Sequence, residues 1–252
     1  ISEKAFERGF EPKFPGITSE KKVAIIGSGP SGISAATFLL RRGINVTMFE
    51  RDDRAGGLLT YGIPGFKLDK SAVTRRIDWL IKAGMKLELN CEIGKDIEAK
   101  KLQKDFDAIY LAIGATKGRP SALEGEESDN VYLAIDFLKN IQKRNFGVKL
   151  KKFIDVKNKK VLVIGGGDTA MDCVRTSVRE GALSVKCLYR RDEANMPGSR
   201  KEVVNSKEEG VEFVFNVSPK SITVDGELAV GVELLTTTMS DPDESGRQKV
   251  SI

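Results

Sequence analysis

Two glycine-rich turns in this chain have the spacing of nucleotide-phosphate cradles, and the residue closing the strand after each has opposite charge. The first turn is Gly27-Ser28-Gly29-Pro30-Ser31-Gly32, entered from the apolar run Val23 to Ile26 and followed by a helical pattern of Ile33, Ala36, Leu39 and Leu40. A turn without bulky side chains lets the backbone approach a pyrophosphate, and the following helix start offers unpaired N–H groups and a positive dipole end. The next strand, Ile44 to Phe49, ends in Glu50, beside Arg51. A carboxylate there can accept hydrogen bonds from ribose hydroxyls and would repel a 2′-phosphate. A lone glycine pattern also fits an ordinary tight turn, so the ordered strand, turn, helix, strand and acid carry the reading.

The second turn, Gly165-Gly166-Gly167-Asp168-Thr169-Ala170, follows Val161 to Ile164 and opens a helical pattern with Met171, Val174 and Val178. Ala170 stands where the third glycine is usual, and its methyl is small enough for close helix-to-strand packing. The strand after it, Val185 to Tyr189, ends in Arg190-Arg191 instead of an acid. Two guanidinium forks suit a 2′-phosphate, which selects NADPH over NADH, although a solvated basic turn would read the same way.

The elements needed to position these turns define an α/β chain with three expected parts. Residues 1–20 form an arm with Phe6, Phe10 and Phe14 and no committed element, 21–120 a first dinucleotide domain, and 121–252 a second. In the first domain a loop over Gly56 to Pro64 precedes an amphipathic helix over Asp69 to Gly84, whose apolar face carries Val73, Ile77, Leu80 and Ile81. A short strand follows over Lys86 to Asn90, and another over Phe106 to Ile113 ends at Gly114-Ala115-Thr116, where low bulk admits a cofactor. Lys117 to Asn130 reads as the crossing, Val131 to Gln142 as a helix, and Lys151 to Lys160 as a solvated lead-in. Beyond Arg200 come a helix over Lys201 to Glu209 and strands over Val211 to Val217, Ser221 to Val224 and Glu227 to Thr237, the last two joined by Asp225-Gly226. Lys249 to Ile252 opens a further strand, and with the non-methionine Ile1 it suggests a piece of a longer polypeptide.

Composition excludes several functions. The chain has no histidine, which removes the commonest general base and metal ligand. Cys91, Cys173 and Cys187 lack metal or CxxC spacing and sit in apolar segments, so buried thiols are expected and no metal site. The net charge of +5 is spread along the chain without interleaved aromatics, which argues against nucleic acid. No apolar run approaches the roughly 18 residues of a membrane span and no secretory signal pattern opens the chain, so the cytoplasm is the expected compartment.

Five stretches resemble the small (β) subunit of glutamate synthase and the related flavin domains of dihydropyrimidine dehydrogenase: Val23 to Gly32, Gly56 to Leu68, Tyr110 to Thr116, Val161 to Asp172 and Tyr189 to Glu202. The most specific runs are Gly166-Gly167-Asp168-Thr169-Ala170-Met171-Asp172-Cys173 and Asn195-Met196-Pro197-Gly198-Ser199-Arg200. The resemblance implies two Rossmann-like domains, an FAD domain with an inserted NADPH domain, and a C-terminal return to the FAD domain beyond this chain. It implies that Ser28 to Gly32 line the FAD pyrophosphate, Glu50 its ribose, Leu58 and Lys67 other parts of the cofactor and Ile93 the neighbourhood of the adenine, with Gly27, Arg51, Gly57 and Gly114 as further cofactor-binding candidates. On the NADPH side it implies Gly166 to Thr169 at the phosphates and Arg190, Arg191 and Arg200 at the 2′-phosphate, with Gly165 and Ala170 as further cofactor-binding candidates. Electrons would pass onward to iron–sulfur clusters upstream or on a partner, either a glutamate synthase large subunit or another iron–sulfur acceptor.

Two other functions compete with this electron-entry reading. A disulfide reductase needs a cysteine pair beside the flavin, but the loop after Gly57 reads Leu58-Leu59-Thr60. A non-catalytic domain that binds NADPH remains compatible with the second turn alone.

Overall fold

The computed structural model describes residues 2–115, 117–241 and 248–252. The chain divides into two compact units, Ile1–Thr116 and Lys117–Ile252. Thr116, Ile1 and residues 242–247 lie outside the described residues.

The first unit contains, in order, α1 (Ser2–Glu7), β1 (Lys22–Ile26), α2 (Pro30–Leu40), β2 (Asn45–Phe49), α3 (Leu58–Tyr61), α4 (Lys70–Lys82), β3 (Lys86–Glu88), α5 (Ala99–Asp105) and β4 (Ala108–Leu111). Its strands form one parallel sheet in the order β3-β2-β1-β4. Alternation along β1 explains how both sheet faces are covered. Val23 and Ile25 pack with Ala36 and Leu40 of α2 and Leu80 of α4, whereas Ala24 faces Phe49 and Leu102 of α5. The carboxylate of Asp69 accepts the Ser71 N–H at 2.9 Å and caps α4.

The second unit contains α6 (Ala134–Asn145), β5 (Lys160–Ile164), α7 (Asp168–Arg179), β6 (Ser184–Leu188), α8 (Arg200–Glu208), β7 (Glu212–Val214), β8 (Val217–Asp225), β9 (Leu228–Thr236), β10 (Thr238–Met239) and β11 (Val250–Ser251). Strands β5, β6 and β7 form a parallel sheet, and β8 pairs antiparallel with β9, as β10 does with β11. Met171 and Val174 of α7 pack with Val185 and Cys187 of β6 and Val203 of α8. A buried arginine fastens the two helices, Arg175 meeting Glu202 and Glu209 at 2.7 Å each.

Several local expectations are corrected. The N-terminal arm contains α1, because Phe6 packs at a tilt against Trp79, 4.9 Å between centroids, and Glu3 pairs with Arg75 at 2.7 Å. Helix α5 has a single buried residue, Leu102, too little to make a periodic pattern. The Gly56 to Pro64 loop includes the one-turn helix α3. Ile81 leaves the apolar face of α4 and is 43% exposed, while Trp79 is buried. The strand expected over Val211 to Val217 breaks between β7 and β8, where Asn216 has φ +55°. The expected Asp225-Gly226 hairpin joins β8 to β9.

Candidate functional site

In the first unit the turn from Gly27 to Gly32 leaves the end of β1 and becomes the first turn of α2. Gly27 has φ +101°, and a Cβ there would lie 2.4 Å from the Ala112 carbonyl oxygen, so no side chain fits. The first carbonyl in this turn to accept a helical bond is that of Gly29, from Ile33 N–H at 3.0 Å. The N–H groups of Ser31 and Gly32 therefore precede the helical ladder, and Pro30 occupies the helix start where its missing N–H costs nothing. The Ser31 hydroxyl meets the Tyr110 hydroxyl at 2.9 Å.

Glu50 and Ser28 form a buried bracket beneath this turn. Glu50 is 6% exposed and Ser28 fully buried. One carboxylate oxygen of Glu50 accepts the Ser28 N–H at 3.1 Å and a short hydrogen bond from the Ser28 hydroxyl, and the other accepts the Asp52 N–H at 2.9 Å. The Ser28 hydroxyl in turn accepts the Gly56 N–H at 2.9 Å, tying the 56–62 loop to the turn. This corrects the expectation for Ser28: its N–H and hydroxyl both serve Glu50, and they present no donor to a pyrophosphate. Glu50 has three of its roughly four lone-pair positions engaged, which leaves room for one ribose hydroxyl.

The remaining first-unit candidates lie at several places around the turn. Gly57 is the N-cap of α3 and approaches Gly29, Leu58 begins α3 and is exposed, and Arg51 and Lys67 are exposed. Gly114 is exposed with φ +63°. Ile93 bridges to Ile97 and packs half-buried against the Ala24, Phe49 and Leu102 cluster. The loop itself is held by Tyr61, whose hydroxyl donates a short hydrogen bond to Asp53. Burial, reinforced by Asp53, pushes that phenol up to about 12.

In the second unit Gly165 to Gly167 end β5 and cap α7, whose first helical bond runs from Met171 N–H to Gly167 O at 3.1 Å. A Cβ on Gly166 would lie 2.5 Å from the Tyr189 ring, so the glycine is required by the aromatic beneath it. The Tyr189 hydroxyl donates to Asn195 O at 3.0 Å, and Gly198 N–H to Gly166 O at 3.0 Å, which lays the 195–200 segment against the turn. The carboxylate of Asp168 accepts the Ser199 N–H at 2.9 Å. Asp168 therefore holds this segment, while Thr169 is exposed on the first turn of α7 and Ala170 is buried in the core. Arg190 and Arg191 follow β6 on the same sheet end as Gly165, and Arg200 starts α8 next to Ser199. Tyr189 is a supporting residue that glycine spacing alone does not single out.

The thiols sit beneath or away from the sites, Cys187 Sγ donating to Gly165 O at 3.1 Å under the second turn. Cys173 and Cys187 are buried and Cys91, expected to be buried, is half-buried. Burial, followed by the charge of Asp172, pushes the Cys173 thiol up to about 12, and burial alone does the same for Cys187. Iodoacetamide at mildly alkaline pH should therefore leave both unlabelled in the native protein and label both after denaturation, as read by peptide mass mapping. Rapid native labelling of either would contradict this burial. Among the described residues no group of acidic or cysteine side chains could hold a metal, and no helix is long and apolar enough to cross a membrane.

The model of the family described as pyridine nucleotide-disulphide oxidoreductase matches residues 21–245. The chain is 48% identical, over its whole length, to the glutamate synthase [NADPH] small chain of Escherichia coli K12, covering 54% of that protein. It is 47% identical to a putative glutamate synthase [NADPH] small chain of Cereibacter sphaeroides, covering 61% of it. The chain thus spans between half and two thirds of the length of these relatives. Among solved structures, Mycobacterium tuberculosis FprA in complex with NADPH superposes with a TM-score of 0.78 over 92% of this chain and 67% of that one, at 19% identity, a likeness of fold.

Proposed function

This chain belongs to the pyridine nucleotide-disulphide oxidoreductase family, and from that premise we propose that it is an NADPH-oxidising flavoprotein module of the glutamate synthase small-chain kind. Each unit is then a Rossmann-like domain, FAD binding to the first and NADPH to the second. The first turn and the α2 start suit a pyrophosphate, since the N–H groups of Ser31 and Gly32 precede the helical ladder and a Cβ at Gly29 would meet nothing within 4 Å. Glu50 would accept an adenosine ribose hydroxyl. In the second unit the Gly165 to Gly167 turn and the α7 start would take the NADPH phosphates, and Arg190, Arg191 and Arg200 the 2′-phosphate. The chemistry supplied there is hydride transfer from reduced nicotinamide to a flavin that can release electrons one at a time. The work of the protein is binding and orientation, which requires none of the histidines it lacks.

The observation that carries this reading is the contrast at two equivalent strand ends, a buried acid at Glu50 and an arginine pair at Arg190 and Arg191. Onward acceptors in this reading are iron–sulfur clusters and a glutamate synthase large-subunit-like partner, working in the cytoplasm. Disulfide chemistry is disfavoured because the two thiols of the second unit are buried and the first unit has Cys91 alone. Purified protein incubated with FAD should keep a visible flavin spectrum after desalting, and anaerobic NADPH should bleach it. A colourless protein, or an oxidised spectrum that NADPH does not change, would overturn the proposal.

A further inference from the structure

We propose that Thr237 is a positioning residue for the arginine pair and that it sets the discrimination between a nucleotide with a 2′-phosphate and one without. The inference rests on the reading of the second unit as an NADPH site. Three successive backbone carbonyls at the end of β6 are taken up by the base of the β8–β9 hairpin. Tyr189 O accepts the Val217 N–H at 3.2 Å, Arg191 O accepts the Asn216 N–H at 3.2 Å, and Arg190 O accepts the Thr237 hydroxyl at 2.8 Å. Thr237 is 3% exposed, and its own N–H donates to Asn216 O at 2.9 Å. One buried side chain therefore closes the junction between the hairpin and the residues expected to meet the phosphate.

The arginines themselves point to an anionic ligand. Arg190 is exposed at the surface of this junction. Arg191 makes a long contact from Nη2 to Gln248 O at 3.4 Å, and its buried Nε has no hydrogen-bond partner among the described residues. A buried guanidinium donor left without an acceptor is costly, and a phosphate monoester has three oxygens to offer it. Planar forks bind such a group well only when their backbone is held in place. Of the three carbonyl contacts, the one made by Thr237 uses a side chain. It is the contact through which sequence can tune the arginine backbone without altering either arginine.

Thr237→Val keeps the shape and removes the hydroxyl, and Thr237→Ser keeps the hydroxyl. Binding of 2′,5′-ADP and of 5′-AMP by calorimetry reads the 2′-phosphate separately from the rest of the nucleotide. Thr237→Val should weaken 2′,5′-ADP by roughly three- to ten-fold, the factor expected for one hydrogen bond. It should leave 5′-AMP unchanged, and Thr237→Ser should restore the difference. Should Thr237→Val fail to fold, Thr237→Ala removes the hydroxyl without added bulk and takes its place. Equal weakening of both ligands, or no weakening of either, would overturn the role of Thr237. If joint replacement of Arg190 and Arg191 by alanine leaves the preference for 2′,5′-ADP intact, the NADPH reading itself fails, an outcome distinct from failure of Thr237 alone.

Discussion

Replacing Arg190 and Arg191 together by alanine is expected to weaken NADPH binding about a hundred-fold while changing NADH binding little. A hydrogen bond to a charged group contributes about 1.5–3 kcal/mol. Partly exposed guanidiniums belong at the lower end of that range, which gives about 3 kcal/mol for two and, at about 1.4 kcal/mol per tenfold, the expected factor. The backbone of the pair is held through its carbonyls by Asn216 and Thr237, so truncating the side chains leaves the junction in place. Binding of the two nucleotides, followed by fluorescence or calorimetry, checks the result. A loss that is the same for both would remove the basis for assigning the 2′-phosphate to these residues.

Glu50→Ala is expected to strip the first unit of FAD and to lower its stability. The substitution leaves the Ser28 N–H without its acceptor in a buried place and the Asp52 N–H in a half-buried one, at about 1–3 kcal/mol each with Asp52 at the lower end. It also releases the Ser28 hydroxyl, which holds Gly56 and through it the loop of α3. A total of about 2–4 kcal/mol is a large part of what a unit of this size has to spare. Urea denaturation should show the lowered midpoint, the flavin-to-protein absorbance ratio should fall, and 2′,5′-ADP binding to the second unit should persist. Retained flavin with an unchanged midpoint would mean that Glu50 anchors neither the ribose nor the turn.

The parallel α/β framework is legible in the sequence because its signals are local and periodic. Val23 to Ile26, Ile44 to Phe49, Val161 to Ile164 and Val185 to Tyr189 are short apolar runs bounded by glycines or charges, and each coincides with a strand to within a residue or two. Features set by distant partners are less legible. Ile81 suits the apolar side of α4 by periodicity and Trp79 does not, yet Phe6, far away in the chain, packs on Trp79 and covers it. The division of β7 from β8 turns on one left-handed residue, Asn216, in a stretch otherwise fit for a single strand. The Gly27 and Gly165 turns could be located from spacing, but the inward rotation of Ser28 depends on where Glu50 lies in the next strand. Thr237 resembles its threonine neighbours until the fold brings it to the Arg190 carbonyl.

The packing of Phe6 on Trp79 also determines what an optical experiment on this protein measures. The chain has a single tryptophan, and its ring is covered by α1 and lies 5.6 Å from the Arg75 guanidinium. Indole emission is therefore a probe of one helix contact, remote in sequence from both glycine turns. An arm held by a six-residue helix and an exposed ion pair can detach at lower free energy than either sheet. A denaturation curve followed by tryptophan emission would then precede one followed by far-ultraviolet circular dichroism. Such a separation would record the departure of the arm, and it would be a mistake to assign it to an intermediate of the nucleotide-binding units.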